Sequence, residues 1–139
     1  MMQRFEALGQ LDHPQYQAAI TLLNYRHVCR LDQWPAPLQR SLGDWNMGPY
    51  GTIQGPNEFL YTGNLKDWNR LKEMGGFKMP VLITTGQHDE LTPACAMRMQ
   101  LAVGHAELQV FRNSSHMPFY EEPEACLLYT SDAADDSLR

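Results

Sequence analysis

The chain has 139 residues, of which 43% are hydrophobic and 19% charged, so it is long enough for one globular domain and too apolar for a disordered protein. The formal net charge of -5 argues against a protein that binds nucleic acid, because contacts to phosphate need clustered lysine and arginine. No apolar run approaches the roughly 18 residues of a membrane span, and no signal segment opens the chain, so we expect a cytoplasmic location and no membrane partner.

The N-terminal third of the chain carries helix signals. Asp12 and Pro14 indicate a helix start, since Asp12 can accept hydrogen bonds from unpaired amides and Pro14 lacks an amide that would need a partner. Apolar residues then recur at helical spacing as far as His27, and the proline-rich segment at residues 34–37 ends the helix. Residues 43–57 are rich in glycine and proline, which predicts an extended loop.

The second half of the chain has the pattern of a layered α/β protein. The predicted elements are a short helix or turn at residues 64–74, a strand at 81–85, a helix at 93–103, a strand at 107–111 and a final helix at 121–128. Strands that alternate with helices in this way are typical of a parallel sheet covered by helices. We expect Met97 and Leu101 on the inner face of the helix between the two strands.

Two residues with catalytic chemistry each follow a predicted strand. Asp89 comes directly after the first strand and His116 after the second, and open α/β sheets place their sites at this edge. A carboxylate beside an imidazole can orient the ring and stabilise it when it becomes charged. An aspartate followed by a histidine is also the end of the order Ser, Asp, His found in α/β-hydrolases. The pair therefore predicts the acid and the base of a serine triad.

Four segments carry a more specific resemblance. Gly86–Pro93 and Ser115–Pro123 resemble the acid and histidine blocks of the α/β-hydrolase superfamily. Gln54–Phe59, followed by Thr62–Trp68, resembles a pairing found in proline iminopeptidases, which remove an N-terminal proline from peptides. The likeness extends from Phe5 to Ala125. It implies an α/β fold, namely the C-terminal portion of an α/β-hydrolase preceded by part of a helical cap.

The resemblance also implies roles for individual residues. Asp89 would be the triad acid and His116 the general base, while Glu58 and Glu90 match the acidic pair that receives the substrate's α-ammonium group. Carboxylates recognise a free N-terminus through charge-assisted hydrogen bonds, which suits an aminopeptidase. The expected partner is a peptide with a free N-terminal proline. The family chemistry needs no metal and no organic cofactor.

The same resemblance divides the chain into three regions. Residues 1–74 would belong to the helical cap and residues 75–125 to the hydrolase core. Residues 126–139 look like the translation of a sequencing adapter, and we expect them to be a non-native tail. The chain contains no G-x-S-x-G segment and no oxyanion-hole segment rich in His, Gly and Pro. We therefore expect the chain to be inactive alone, because it supplies neither nucleophile nor oxyanion donors.

Two other interpretations stay open at this point. The chain can belong to another α/β-hydrolase that cleaves esters or carbon–carbon bonds, because a fold does not determine its substrate. Glu58 and Glu90 favour the aminopeptidase, since an esterase needs no ammonium receptor. Alternatively, the chain is a non-catalytic binding module that reuses the C-terminal half of the fold.

Overall fold

The structure, a computed structural model, describes residues 1–136, with side chains as far as Ser131. Contacts between residues divide the chain into two compact units. One unit combines Met1–Asp32 with Leu71–Arg139, and the other consists of Gln33–Arg70. The assignment of residues 1–74 to a cap and 75–125 to a hydrolase core stays a prediction.

The chain opens with helices α1 (Met2–Ala7) and α2 (Pro14–Leu23) and a π-helical turn (Asn24–Val28). The cap of α2 is His13, whose Nδ1 accepts a hydrogen bond from the Gln15 amide at 3.2 Å. The prediction that Asp12 caps this helix is therefore wrong by one residue. Pro14 is the cause, because it occupies the first helical position and forces the residue before it into an extended conformation. His13 also stacks on Phe5, with ring centroids 4.3 Å apart.

The unit Gln33–Arg70 contains helices α3 (Ala36–Gly43) and α4 (Met47–Ile53). The prediction of an extended loop over residues 43–57 is wrong where α4 forms. Local capping outweighs the weak helix propensity of the glycines, because the Asn46 side chain accepts a hydrogen bond from the Gly48 amide at 3.1 Å. Pro49 lies in the first turn, where a missing amide leaves no helical hydrogen bond unmade.

The remaining elements are helix α5 (Leu71–Met74), strand β1 (Leu82–Gly86), helix α6 (Pro93–Val103), strand β2 (Glu107–Phe111), and helices α7 (Pro118–Glu121) and α8 (Pro123–Asp136). Strands β1 and β2 pair in parallel, with Leu82 opposite Glu107 and Gly86 opposite Phe111. The predicted strand–helix–strand order is confirmed. The predicted final helix is instead split at Glu122, because Pro123 cannot continue a helix begun before it.

The core of the sheet region lies between α6 and the strands. Its buried members are Ile83, Ala96, Val103 and Ala106. The expectation that Met97 and Leu101 face inward is wrong, since they are 48% and 80% exposed. Ala96 and Val103 are seven residues apart, two helical turns, so they share one face of α6. This face is lined by smaller side chains and lies against the sheet.

Helix α8 continues beyond Cys126, where the adapter-like tail was predicted to begin. Cys126 is buried, and the Tyr129 ring meets Phe111 edge-on with centroids 6.2 Å apart. The adapter origin of residues 126–139 stays a prediction, and residues 137–139 lie outside the described part. Among the described residues, no helix combines the length and apolar character that crossing a membrane requires.

Candidate active site

The loops that follow β1 and β2 leave the sheet at the same edge, because the two strands are parallel. There the structure brings together two of the predicted site residues. Nδ1 of His116 lies 3.1 Å from Oδ1 of Asp89. The two residues are 27 positions apart in sequence, so the pairing depends on the register of the strands. The catalytic roles of the two residues stay predictions.

Asp89 is buried, and hydrogen bonds fix the orientation of its carboxylate. Only 8% of the residue is exposed, and Oδ1 also accepts a hydrogen bond from the Leu91 amide at 2.9 Å. Oδ2 lies 3.5 Å from the hydroxyl of Thr85, at the end of β1. An ionised carboxylate can only accept hydrogen bonds, so the proton in the contact with His116 belongs to Nδ1. Nε2 is then the basic nitrogen of the neutral ring.

Gly86 allows the two loops to approach each other. A Cβ at this position would collide with the carbonyl groups of Ser114 and Ser115. The close approach is fixed by two backbone hydrogen bonds, from the Gln87 amide to the Phe111 carbonyl at 2.8 Å and from the His88 amide to the Ser114 carbonyl at 3.0 Å. Glycine at the end of β1 is therefore a condition for the meeting of the Asp89 and His116 loops.

The loop that carries His116 is bound to the carboxylate of Glu121. Oε2 of Glu121 accepts hydrogen bonds from the amides of Ser115 at 2.8 Å and of Met117 at 3.2 Å. Oε1 accepts a hydrogen bond from the Ser115 hydroxyl at 2.7 Å. The carboxylate thus contacts the residues on both sides of His116.

Glu122 binds the preceding part of the same loop. It accepts hydrogen bonds from the Asn113 amide at 3.0 Å, the Asn113 side chain at 3.3 Å and the Ser114 hydroxyl at 2.5 Å. Burial by itself raises the pKa of Glu122, but the hydrogen bonds from Ser114 and Asn113 outweigh it and hold the pKa below its ordinary value. Glu122 therefore binds the loop in its ionised form.

The N-terminal segment also reaches this loop. The carbonyl of His27 accepts a hydrogen bond from the His116 amide at 3.2 Å. Nδ1 of His27 lies 2.8 Å from the His88 carbonyl, in the loop that carries Asp89. The Arg30 amide donates to Oε1 of Glu121 at 2.7 Å. Met1–Asp32 therefore contacts both loops of the candidate site.

Glu90, a predicted substrate-binding residue, follows Asp89 directly in the same loop. It is half-buried, and its Oε2 atom is shielded from solvent. Glu58 belongs to the other unit, Gln33–Arg70, and is half-buried in a turn bounded by a bridge between Asn57 and Leu60. The role of both carboxylates as an ammonium receptor stays a prediction.

The block that contains Glu58, Gln54–Phe59, lies against the block Thr62–Trp68. The Gln54 carbonyl accepts hydrogen bonds from the amides of Thr62 at 3.1 Å and Gly63 at 2.9 Å. Gly55 has a φ of 138°, a conformation that residues with a Cβ rarely adopt. The Gly-Pro-Asn-Glu-Phe block is thereby closed into a compact loop that ends at its partner block.

Sequence patterns did not identify Glu121 or His27 as parts of the site. Glu121 reads as the ordinary start of a helix, and His27 as one member of a helical face. His27 contacts the His88 carbonyl across 61 positions, and Glu121 binds Arg30 across 91, which no local motif reports. The contacts of Glu121 with Ser115 and Met117 span only six and four positions. Within residues 1–131, where the structure describes side chains, no group of three His, Cys, Asp or Glu side chains is arranged to hold a metal ion.

Comparison with curated proteins identifies proline iminopeptidases as relatives. The chain is 33% identical over 130 residues to the proline iminopeptidase of Saccharolobus solfataricus, an alignment that covers 91% of the chain and 41% of the relative. It is 36% identical over 124 residues to that of Levilactobacillus brevis, covering 86% of the chain and 40% of the relative. The chain thus spans about two fifths of the length of these relatives. No family model matches the chain.

Two solved structures are also similar to this chain. The crystal structure of VinJ superposes with a TM-score of 0.91 at 32% identity, covering 98% of this chain and 47% of VinJ. The crystal structure of a Mycobacterium smegmatis proline iminopeptidase gives a TM-score of 0.86 at 31% identity, covering 99% of this chain and 47% of that enzyme. The predicted resemblance is confirmed: the chain is similar to proline iminopeptidases over most of its own length, and its fold is the C-terminal portion of an α/β-hydrolase.

Proposed function

We propose that the protein to which this chain contributes is a serine aminopeptidase that releases proline from the N-terminus of peptides. The contact of 3.1 Å between Nδ1 of His116 and Oδ1 of Asp89 is the observation on which the proposal rests. It leaves Nε2 as the basic nitrogen, which a general base requires. The alignment with proline iminopeptidases supports the choice of substrate.

In this proposal, His116 removes the proton from a serine hydroxyl that the rest of the fold supplies. Nε2 accepts the proton as the serine oxygen attacks the carbonyl carbon of the N-terminal proline, and later returns it to the leaving amine. Asp89 holds the ring in the required tautomer and stabilises the imidazolium that forms. Metals and organic cofactors have no part in the proposed chemistry.

Glu58 and Glu90 would bind the cationic amine of the N-terminal proline. Glu90 adjoins Asp89 and has a carboxylate oxygen shielded from water, where attraction to a cation is less screened. A free peptide N-terminus is the group that distinguishes an aminopeptidase substrate from an ester. A cytoplasmic location is part of the proposal.

A hybrid enzyme tests the proposal. This chain would replace the matching segment of the Mycobacterium smegmatis proline iminopeptidase, whose structure defines the junction. We expect the hybrid to hydrolyse proline p-nitroanilide, and His116→Ala to lower kcat by on the order of 10⁶-fold. Glu124→Gln, at an exposed residue, is the matched control and should leave kcat unchanged.

Two further measurements separate the alternatives. A hybrid that folds and hydrolyses p-nitrophenyl esters but not proline p-nitroanilide would refute the aminopeptidase assignment in favour of another α/β-hydrolase. The isolated chain should show no hydrolysis of either substrate, because its sequence has no G-x-S-x-G segment. Turnover by the isolated chain that depended on His116 would contradict this part of the proposal.

A further inference from the structure

We propose that Glu121 is a positioning residue, which sets the place of the His116 ring by binding the backbone on both sides of it. The inference rests on the proposed function for its catalytic meaning, since it assigns a supporting residue to the proposed base. Glu121 contacts no substrate atom in this scheme and acts through the loop.

The first observation is the number of donors that converge on one carboxylate. Oε2 accepts from the amides of Ser115 and Met117, and Oε1 from the Ser115 hydroxyl and the Arg30 amide, at distances between 2.7 and 3.2 Å. Hydrogen bonds to an ionised acceptor are about twice as strong as those between neutral groups. This single side chain therefore joins the loop to the N-terminal segment.

The second observation concerns the amide between these two. The His116 amide donates to the His27 carbonyl at 3.2 Å, so the amides of three successive residues are all bound. Two of the three amides bind the same atom, Oε2 of Glu121, and the acceptor of the third lies in the segment that Glu121 binds through Arg30. The peptide planes on both sides of the His116 Cα are thereby fixed, which restricts where its ring can lie.

The third observation is the route by which Glu121 reaches the loop. Helix α7 is a single turn that begins at Pro118 and is capped by Met117, and the Glu121 amide donates to the Met117 carbonyl at 3.0 Å. The chain thus returns on itself, and the Glu121 side chain binds the cap residue's own amide. As in a capping box, a glutamate binds the amide of the cap residue, but here it lies four positions after the cap, and the Met117 side chain makes no reciprocal hydrogen bond.

Glu122 provides a matched control in the adjacent position. It is also a carboxylate bound to the loop, but its partners are Asn113 and Ser114, which do not flank His116. The substitution to glutamine is isosteric at both positions and replaces one acceptor oxygen by a donor. In Glu121→Gln the new NH₂ group faces two donors, either the amides of Ser115 and Met117 or the Ser115 hydroxyl and the Arg30 amide. In Glu122→Gln the amides of residues 115–117 keep their acceptors.

The test is nuclear magnetic resonance of the complete chain labelled with ¹⁵N-histidine. In the unsubstituted chain we expect the His116 ring to be protonated at Nδ1, with a low-field proton shared with Asp89; Asp89→Asn assigns the signal. In Glu121→Gln we expect that proton signal to be lost and the two tautomers to mix. Glu122→Gln should retain the unsubstituted pattern. An unchanged ring signal in folded Glu121→Gln, or equal changes in both variants, would overturn the proposal.

A second measurement tests the proposal on the unsubstituted chain, so it applies even if Glu121→Gln fails to fold. In the unsubstituted chain, the amides of Ser115, His116 and Met117 should exchange with deuterium much more slowly than the amide of exposed Arg112. Exchange of the three amides at the rate of an unprotected peptide would show that the carboxylate does not hold the loop, and would overturn the proposal.

In the hybrid enzyme, Glu121→Gln should lower kcat by about 10²-fold with KM unchanged, because misplacement of a catalytic group by about 1 Å has an effect of this size. A change confined to KM would count against a positioning role. The outcomes also separate this inference from the proposed function. Ester hydrolysis alone would refute the aminopeptidase and leave the ring experiment valid, whereas arylamide hydrolysis with an unaffected ring in Glu121→Gln would refute only the inference.

Discussion

Oδ1 of Asp89 accepts hydrogen bonds from two directions, from Nδ1 of His116 at 3.1 Å and from the Leu91 amide at 2.9 Å. The second bond keeps the carboxylate in place whether or not the histidine is present. The oxygen is therefore oriented before the two loops meet. In catalytic terms this is preorganisation, since no rearrangement is needed when the ring becomes charged.

Asp89→Asn should change the tautomer of His116 while leaving the fold intact. When the amide group turns its NH₂ to the ring, giving up the hydrogen bond that Oδ1 accepts from the Leu91 amide, Nδ1 becomes the acceptor and the proton moves to Nε2. We expect ring ¹⁵N shifts of His116 to report this inversion, and kcat of the hybrid enzyme to fall by on the order of 10⁴-fold. A variant that kept its proton on Nδ1 would contradict the role assigned to the contact.

Gly86→Ala should destabilise the unit that contains the sheet. The new Cβ would overlap the backbone carbonyls of Ser114 and Ser115, and the Ser114 carbonyl is held by a hydrogen bond from the His88 amide. We expect the free energy of unfolding to fall by about 3 kcal/mol, measured by urea denaturation. Gly75→Ala is the control in the same unit, because its Cβ would meet only ordinary contacts. Equal stability of the two variants would show that the loops do not approach as described.

The chain should lose stability in acid, because Glu122 stabilises it only when ionised. Its pKa is lowered in the folded state, so ionised Glu122 adds stability at pH values above its ordinary pKa of 4.5, and this contribution is lost as the pH falls through the folded value. We expect the melting temperature of the unsubstituted chain to fall more steeply below pH 4.5 than that of Glu122→Gln. Glu124→Gln serves as the control for the loss of one carboxylate, and parallel curves for all three proteins would contradict the prediction.

The two faces of α6 should respond differently to truncation. Val103 is buried in the core beneath the sheet, whereas Leu101 is 80% exposed. Val103→Ala should lower the free energy of unfolding by about 1–3 kcal/mol, because it removes buried methyl groups and leaves a cavity. Leu101→Ala should change it by less than about 0.5 kcal/mol. A larger effect at Leu101 than at Val103 would show that Leu101 lies on the inner face of α6, as the sequence pattern predicts.

The alternation of strands and helices could be predicted because its signals are local. The β-branched run after Pro80 and the proline at the start of α6 act within a few residues, and the strand–helix–strand order follows from them. The inner face of α6 was not predictable in this way. Large apolar residues usually mark the core side, but here Ala96 and Val103 face it and Leu101 faces solvent.

The candidate site also has features that the sequence predicts and features that it does not. Asp89 and His116 could be predicted, because each follows a strand and parallel strands end at one edge. Their catalytic roles, and those of Glu58 and Glu90, are still predictions. The contacts of Glu121 with Ser115 and Met117 are local, but its bond to the Arg30 amide could not be predicted, because it spans 91 positions of sequence. A contact over such a sequence separation forms only in the folded chain and produces no periodic pattern in the sequence.

The bond between the Arg30 amide and Glu121 has a consequence for the order of folding. Closing a segment of 91 residues costs more chain entropy than forming the sheet, whose strands are joined by one short helix. The βαβ unit is therefore expected to form early in refolding, and the N-terminal segment to dock afterwards. The histidine loop would reach its final geometry only at that late step. A refolding intermediate with a complete sheet would still lack an aligned Asp89–His116 pair, so competence for chemistry would arise later than most of the secondary structure.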